Sequence, residues 1–281
     1  MMDSLPDVHE SEETRGEALD VSVSGLYRKL EIPEKFGGTQ FVDAEITVSV
    51  NLASNKRGTH MSRISARVEG MALLTGESVV GLAKGISQDL DETVTTVYAS
   101  FDYAMPMDSP ITKSKGTSRV RVTMACLYNA YGDSTPNICH GLLVKVPIFT
   151  VCPCALACSG GKFSHTQRCM VTVKLIHNGG VLPSNFDWIE DVSANVESVG
   201  VPLYSVLKRP DEVEVIRRGF ENPMFVEDVA RDVFSVMVQR FPQRSIHVIA
   251  ESEESIHQHN AMAEAFSVGV YKPLFSGFGG F

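Results

Sequence analysis

The sequence predicts an α+β fold in which helices pack on one face of antiparallel strands. Three observations predict it. Runs with a period of two residues come in pairs, runs with a helical period follow them, and the same outline then recurs in the second half of the chain. The two halves share no obvious sequence identity.

The elements follow in order. Residues 1 to 19 are polar and acidic and read as a flexible tail. Val42, Ala44, Ile46, Val48, Val50 and Leu52 alternate with Asp43, Glu45, Thr47, Ser49 and Asn51, a strand with one buried face. A basic loop leaves that strand, carrying Lys56, Arg57, His60 and Arg63. Helical stretches are expected from about Ser62 to Val68 and from Ser78 to Gln88, then strands over Thr93–Ala104 and Ser118–Ala130. The second half opens with a strand over Gly141–Val151, a Cys-rich loop, and a returning strand over Arg168–His177 with Val171, Val173 and Leu175 on one face. Ser184 with Asp187 marks a helix start, and Phe186, Ile189, Val192, Val196 and Val199 mark its apolar face. Asp211–Arg218 and Val226–Arg240 are two more helices, broken at Asn222-Pro223. Ser245–Ala250 is expected to be the last strand, and Glu251–His259 a polar turn. The boundary between the halves falls at 138/139, giving units 20–138 and 139–281.

Composition narrows the function. With 43% hydrophobic and 21% charged residues, the chain can bury a sizeable core. A formal charge of −9 excludes a global basic field for nucleic acid, so an anionic ligand needs a local cluster of cations. No apolar run is long enough for a membrane span, and the amino terminus lacks the pattern of a secretory signal. The expected compartment is the cytoplasm, where the six cysteines are thiols, metal ligands or catalytic groups rather than disulfides.

Three clusters carry chemistry. Cys152-Pro-Cys154-Ala-Leu-Ala-Cys158 stands close to His165 and Arg168 in one Gly/Pro-rich connection. Thiolate and imidazole are the donors that hold zinc-like ions best, and a site with few protein ligands keeps a position open for water. The spacing lacks the paired C-x-x-C units of a closed structural zinc site. Glu254, His257 and His259 form the second cluster, suited to proton transfer near neutral pH; two histidines two apart on a strand would share a face. The third is the basic loop, whose four cationic or protonatable groups could clamp a polyphosphate. The plainer alternatives are buried thiols acting as small hydrophobes, a solvated turn and a solvated basic face. His9, His140, His177 and His247 fit packing or surface roles.

Five segments, taken in order, resemble the GTP cyclohydrolase I type IB family. They are Arg57-Gly-Thr-His-Met-Ser-Arg63; Cys152-Pro-Cys154 with Ser164-His165-Thr-Gln-Arg168; Leu207-Lys-Arg-Pro-Asp-Glu212; Phe220-Glu-Asn-Pro-Met-Phe-Val-Glu227-Asp-Val-Ala-Arg231; and Glu254-Ser-Ile-His257-Gln-His259-Asn-Ala. The resemblance implies tandem tunnelling-fold modules assembled into a homotetramer with active sites at subunit interfaces. It implies hydrolysis of GTP to formate and 7,8-dihydroneopterin triphosphate, the entry to folate-type pterins. It matches Cys154, His165 and Glu212 to the ligands of a divalent metal, zinc foremost, with manganese or iron as alternatives. It also matches Glu227 to the purine anchor, and Glu254, His257 and His259 to the cluster beside the reacting ring. Lys56, Arg57, His60 and Arg63 would hold the triphosphate. The chain departs from the family pattern at Ala155, where a Ser is usual, and at Cys158-Ser-Gly-Gly, which leaves Cys158 as a substitute ligand. A cyclohydrolase releasing a cyclic phosphate, a pterin synthase or epimerase of the same fold, and a non-catalytic metal- or nucleotide-binding scaffold are the rival readings.

Overall fold

The structure is a computed structural model, and residues 17–131, 136–179, 187–267 and 272–275 are described. The tail up to residue 16, Ser184 and Phe186 of the expected helix start, and His9 lie outside the described residues.

The first half runs β1 (Leu19–Pro33), β2 (Thr39–Leu52), α1 (Met61–Glu69), α2 (Gly76–Leu90), β3 (Val94–Asp108) and β4 (Lys115–Asn129). The second runs β5 (Asn137–Val151), α3 (Pro153–Cys158), β6 (Thr166–Asn178), α4 (Ile189–Val199), the short β7 (Val201–Pro202), α5 (Arg209–Glu221), α6 (Val226–Arg240), β8 (Ser245–Glu253) and β9 (Ala261–Phe266). All strands join one antiparallel sheet in the order β1-β2-β3-β4-β5-β6-β8-β9, with β7 paired to β5.

Two strands correct the sequence reading. β1 precedes the strand expected to be first. Its alternation is broken at Gly25, where φ is +72° and the register to β2 slips between Val23 and Leu26. The inward positions switch there from Val21 and Val23 to Leu26, Leu30 and Ile32, so no single period-two pattern spans the strand. β9 follows the strand expected to be last. Ala261, Ala263 and Ala265 point inward while Met262 and Phe266 are exposed, which inverts the usual hydrophobic signal. A third correction is α3, a short helix inside the connection expected to be a loop.

Helices cover one face. α1 and α2 pack against the first half of the sheet, and α4 and α6 against β5, β8 and β9. Val97, Ala99 and Phe101 of β3, Val144, Val146 and Ile148 of β5, and Val171 and Val173 of β6 meet Ile86, Val192, Val229, Val233 and Met237 from the helices. Each fully buried Val, Ile or Met contributes about 1.5–3 kcal/mol relative to an exposed one. The opposite face carries a smaller cluster in which Tyr98, Leu143 and Ile176 are capped by Leu274 and Phe275. Gly141 is required there, because a Cβ would stand 2.7 Å from the Phe275 ring.

α5 is tied across one end of the sheet by Asp211, which is fully buried. Its carboxylate accepts hydrogen bonds from the backbone N–H of Ile111, Thr112 and Lys208 and from the Thr112 hydroxyl, at 2.6–2.9 Å. Burial opposes the charge, yet these donors hold the carboxyl well below the usual carboxylate range.

Candidate active site

The carboxyl end of β5 and the amino end of β6 meet where Cys152 N–H donates to the His165 carbonyl at 3.1 Å. Between them α3 and a tight turn close the connection. Ser159 Oγ accepts from the N–H groups of Lys162 and Phe163, and Gly160 and Gly161 take positive φ values of +66° and +80°. Ser164 Oγ donates to the Cys152 carbonyl at 2.7 Å. His165 is therefore set by backbone and side-chain bonds on both sides rather than hanging from a free loop.

β8 ends at the same place, with Arg168 facing Glu253. The next residue, Glu254, is fixed by Ser252 Oγ, which donates to its Oε1 at 2.9 Å. Its Oε2 stands 3.9 Å from His165 Nδ1, and both side chains are only 13% exposed. His257 completes the group. His165, Glu254 and His257 each offer a ligand atom within 4.8 Å of the others. The His165 and His257 rings meet edge-on with centroids 6.1 Å apart, and His257 stacks on His259 at 5.2 Å. His257 and His259 belong to the exposed bend after β8, within the polar turn expected over Glu251–His259, although β8 itself runs on to Glu253.

The fit to a divalent ion is good at one point in particular: His165 Nδ1 is buried and has no hydrogen-bond partner. A buried polar atom left bare costs about 1–3 kcal/mol, so such atoms collect where a ligand completes them. Imidazole nitrogen and carboxylate oxygen suit zinc, manganese or iron.

The other expected residues lie around this group or far from it. Cys154 and Cys158 are exposed on α3, one turn apart, and Cys152 is partly buried. The neighbouring Cys158 side chain pushes the Cys154 thiol pKa up. Cys154 is outside the three-residue group. Met224 N–H donates to the Val151 carbonyl at 3.1 Å, which brings the start of α6 beside Cys152; Glu227 sits exposed in the first turn of that helix. Glu212 is exposed next to Asp211 in the first turn of α5.

The basic loop is elsewhere. It leaves the carboxyl end of β2, which the pairings align with the start of β3, the end of β4, the start of β5 and the end of β6. That is the opposite end of the sheet from His165. Across a strand of 15 residues such as β5, the separation is roughly 40 Å. Within one chain the loop and the His165 group do not meet. Lys56 Nζ binds the carbonyls of Leu90 and Asp91 and the Glu92 carboxylate at 2.7–3.1 Å, and Arg63 donates to the Asp89 carbonyl at 3.1 Å. Both cations thus close the carboxyl end of α2, where the helix dipole favours them. Arg57 is exposed.

A family model described as "Type I GTP cyclohydrolase folE2" matches residues 5–263. This chain belongs to the type I GTP cyclohydrolase FolE2 family. It is 32% identical over 259 residues to the GTP cyclohydrolase FolE2 of Caldicellulosiruptor saccharolyticus, covering 92% of this chain and 96% of that one. It is 34% identical over 269 residues to the GTP cyclohydrolase FolE2 of Thermotoga neapolitana, with the same coverage of 92% and 96%. Like its relatives in this family, the chain is an enzyme. Among solved structures, urate oxidase from Bacillus sp. TB-90 superposes with a TM-score of 0.54 at 9% identity, covering 89% of this chain and 98% of that one. A uricase from Bacillus fastidious gives 0.54 at 10% identity, covering 90% and 94%. At such identities the likeness speaks to architecture, and that architecture is the tunnelling fold.

The sequence reading of this cyclohydrolase-family site missed two residues. Ser252 orients Glu254, and Gln167 is 8% exposed with its Oε1 buried and unpartnered. Each lies among polar neighbours, and its only signal is its place on the inward alternation, Gln167 with Cys169, Val171 and Val173 and Ser252 with Ile246, Val248 and Ala250. A separate cavity of about 480 Å³ between Phe36, Tyr103, Met107, Glu190 and Glu197 includes none of the expected site residues. Among the described helices none is long and apolar enough to cross a membrane.

Proposed function

We propose that this enzyme hydrolyses GTP at purine C8, releasing formate and 7,8-dihydroneopterin triphosphate, in the cytoplasm and as a homotetramer built from the tandem modules 20–138 and 139–281. The observation that carries the reading is the convergence of His165, Glu254 and His257, from two sequence-distant connections, on one point beside a bare imidazole nitrogen.

His165, with Cys154 and Glu212, is proposed to hold a divalent ion, zinc foremost, which when bound makes a coordinated water acidic enough to attack near neutral pH. The chain's own groups do the rest. Ser252 keeps Glu254 aimed at His165, so the carboxylate can accept a proton at Oε2 without swinging away. His257 and His259, stacked and open to solvent, relay protons as the imidazole ring opens and formate leaves. Glu227 accepts two hydrogen bonds from the amide and amino edge of guanine, a pattern adenine does not present.

The triphosphate is assigned to Lys56, Arg57, His60 and Arg63 of another copy of the chain. The separation of the two clusters to opposite sheet ends supports a site completed between subunits. Lys56 and Arg63 hold the loop on α2, which leaves exposed Arg57 as the leading phosphate contact.

The test is formate release from GTP, with metal analysis of the same samples. Cys154→Ala is expected to lose bound metal and activity together; a fully active, metal-loaded variant would remove Cys154 as a ligand. Glu227→Gln is expected to keep its metal and lose GTP affinity.

A further inference from the structure

Gln167 is a buried polar side chain beside the site that the proposed reaction leaves unused. It lies two residues beyond His165, at the start of β6, with only 8% of its surface exposed. Its neighbours Cys169, Val171 and Val173, at the same alternation, point into the helix-side core, so Gln167 shares the face on which the helices pack. On one side it pairs in register with Thr150 of β5, which is 4% exposed. On the other, the β6–β8 ladder runs Cys169 to Ser252 and ends at Arg168 to Glu253, so Gln167 and Glu254 are the next residues past its last rung. Gln167 therefore lies at the mouth of the β6–β8 ladder, two residues from His165 and one rung from the strand end that carries Glu254.

Its Oε1 is buried and has no hydrogen-bond donor. A carboxamide can be replaced by an apolar side chain of equal size, and at a site with no partner that replacement relieves a desolvation penalty. Two bare buried atoms, His165 Nδ1 and Gln167 Oε1, two residues apart where β6 begins and the first 3.9 Å from Glu254, mark a place that a reactant completes.

We propose that Gln167 is a further catalytic residue of this site, whose carboxamide oxygen accepts a hydrogen bond from the water that attacks the purine. The proposal rests on the cyclohydrolase reading given above. The chemistry favours an amide in this role. Attack requires one O–H of the water to be held while the other proton leaves and a lone pair stays free. A carboxylate or imidazole there would compete for the proton; a carboxamide accepts the hydrogen bond and is too weak a base to take it. In the step, the water oxygen bonds to C8 and one of its protons passes to His257. The π pair of the C8–N7 bond moves onto N7, which takes a proton from His259. The O–H held by Gln167 stays intact. The contact matters to the transition state more than to substrate binding, so it should appear in kcat and not in KM.

The experiment compares wild type with Gln167→Leu, and with Gln167→Met as a second apolar variant should the first fold poorly. Formate release from GTP, bound metal and thermal midpoint are measured on each. The expected result is a fall in kcat of about ten- to hundred-fold with KM within about twofold, metal retained and the thermal midpoint equal or higher. Wild-type kcat in either folded variant overturns the role of Gln167 and leaves the cyclohydrolase reading standing. A raised KM with kcat unchanged also overturns it, since Gln167 would then bind substrate in the ground state. Metal-loaded wild type that releases no formate overturns the cyclohydrolase reading and this assignment together.

Discussion

The two ends of the sheet treat their charged and titratable side chains differently. At the end where β2 gives way to the basic loop, the charges are answered from within the chain. Lys56 reaches two carbonyls and the buried Glu92, and Arg63 reaches a third carbonyl. At the end where β5, β6 and β8 converge, polar atoms are as deeply buried but not answered: His165 Nδ1 and Gln167 Oε1 have no partner. Asp211, also near that end, shows that the fold can satisfy a buried carboxylate fully when its task is to anchor α5. Bare buried atoms also occur at the basic-loop end, at Thr59 Oγ1, Thr95 Oγ1 and His140 Nε2, so what marks the His165 end as a place for a reactant is that its bare imidazole nitrogen stands within reach of Glu254 and His257.

The sharpest way to break this comparison is His165→Ala. Removing a ligand and proton partner should lower formate release about a thousandfold, while the thermal midpoint stays near wild type, because no hydrogen bond at Nδ1 is lost. A large stability loss with activity retained per folded molecule would make His165 a packing residue.

The second test joins the two ends. His165→Ala and Arg57→Ala should each be impaired, but co-assembled chains should regain activity. With random mixing, about one site in four combines an intact His165 group with an intact basic loop from another copy. No recovery in mixed oligomers would mean that the loop serves no neighbouring site.

The smallest effect is expected at Lys56. Lys56→Ala removes the cap on α2 and leaves Glu92, whose carboxyl pKa is already raised by burial, without its cation. Stability should fall by about 1–2 kcal/mol in denaturant titration, with kcat little changed and the KM for GTP raised less than in Arg57→Ala. A kcat loss comparable to that of His165→Ala would place Lys56 in the chemistry.

Much of the fold was legible because its signal is local. β2 shows an unbroken period of two, and Val192 and Val196 on α4 show a helical one. β1 was hidden by the Gly25 bulge, which swaps the inward parity midway, and β9 by inward alanines too small to stand out against exposed Met262 and Phe266. In the site, His165, Glu254 and His257 were recognisable one by one from residue type and motif. Gln167 was not, since a glutamine between Thr166 and Arg168 looks like surface until the register pairs it with the buried Thr150.

Sequence by itself determined most of the strands and helices, though not β1, β9 or α3, together with the α+β class, the family, and the residue types able to bind a metal, move protons and meet a phosphate. Each of these depends on periodicity and motif within a few residues of chain. Only the tertiary structure decided that His165, Glu254 and His257 share one point, that the basic loop stands at the far end of the sheet, and that Gln167 is buried with a bare oxygen. Those depend on strand order and register, which are fixed by pairings between segments up to about a hundred residues apart in the chain.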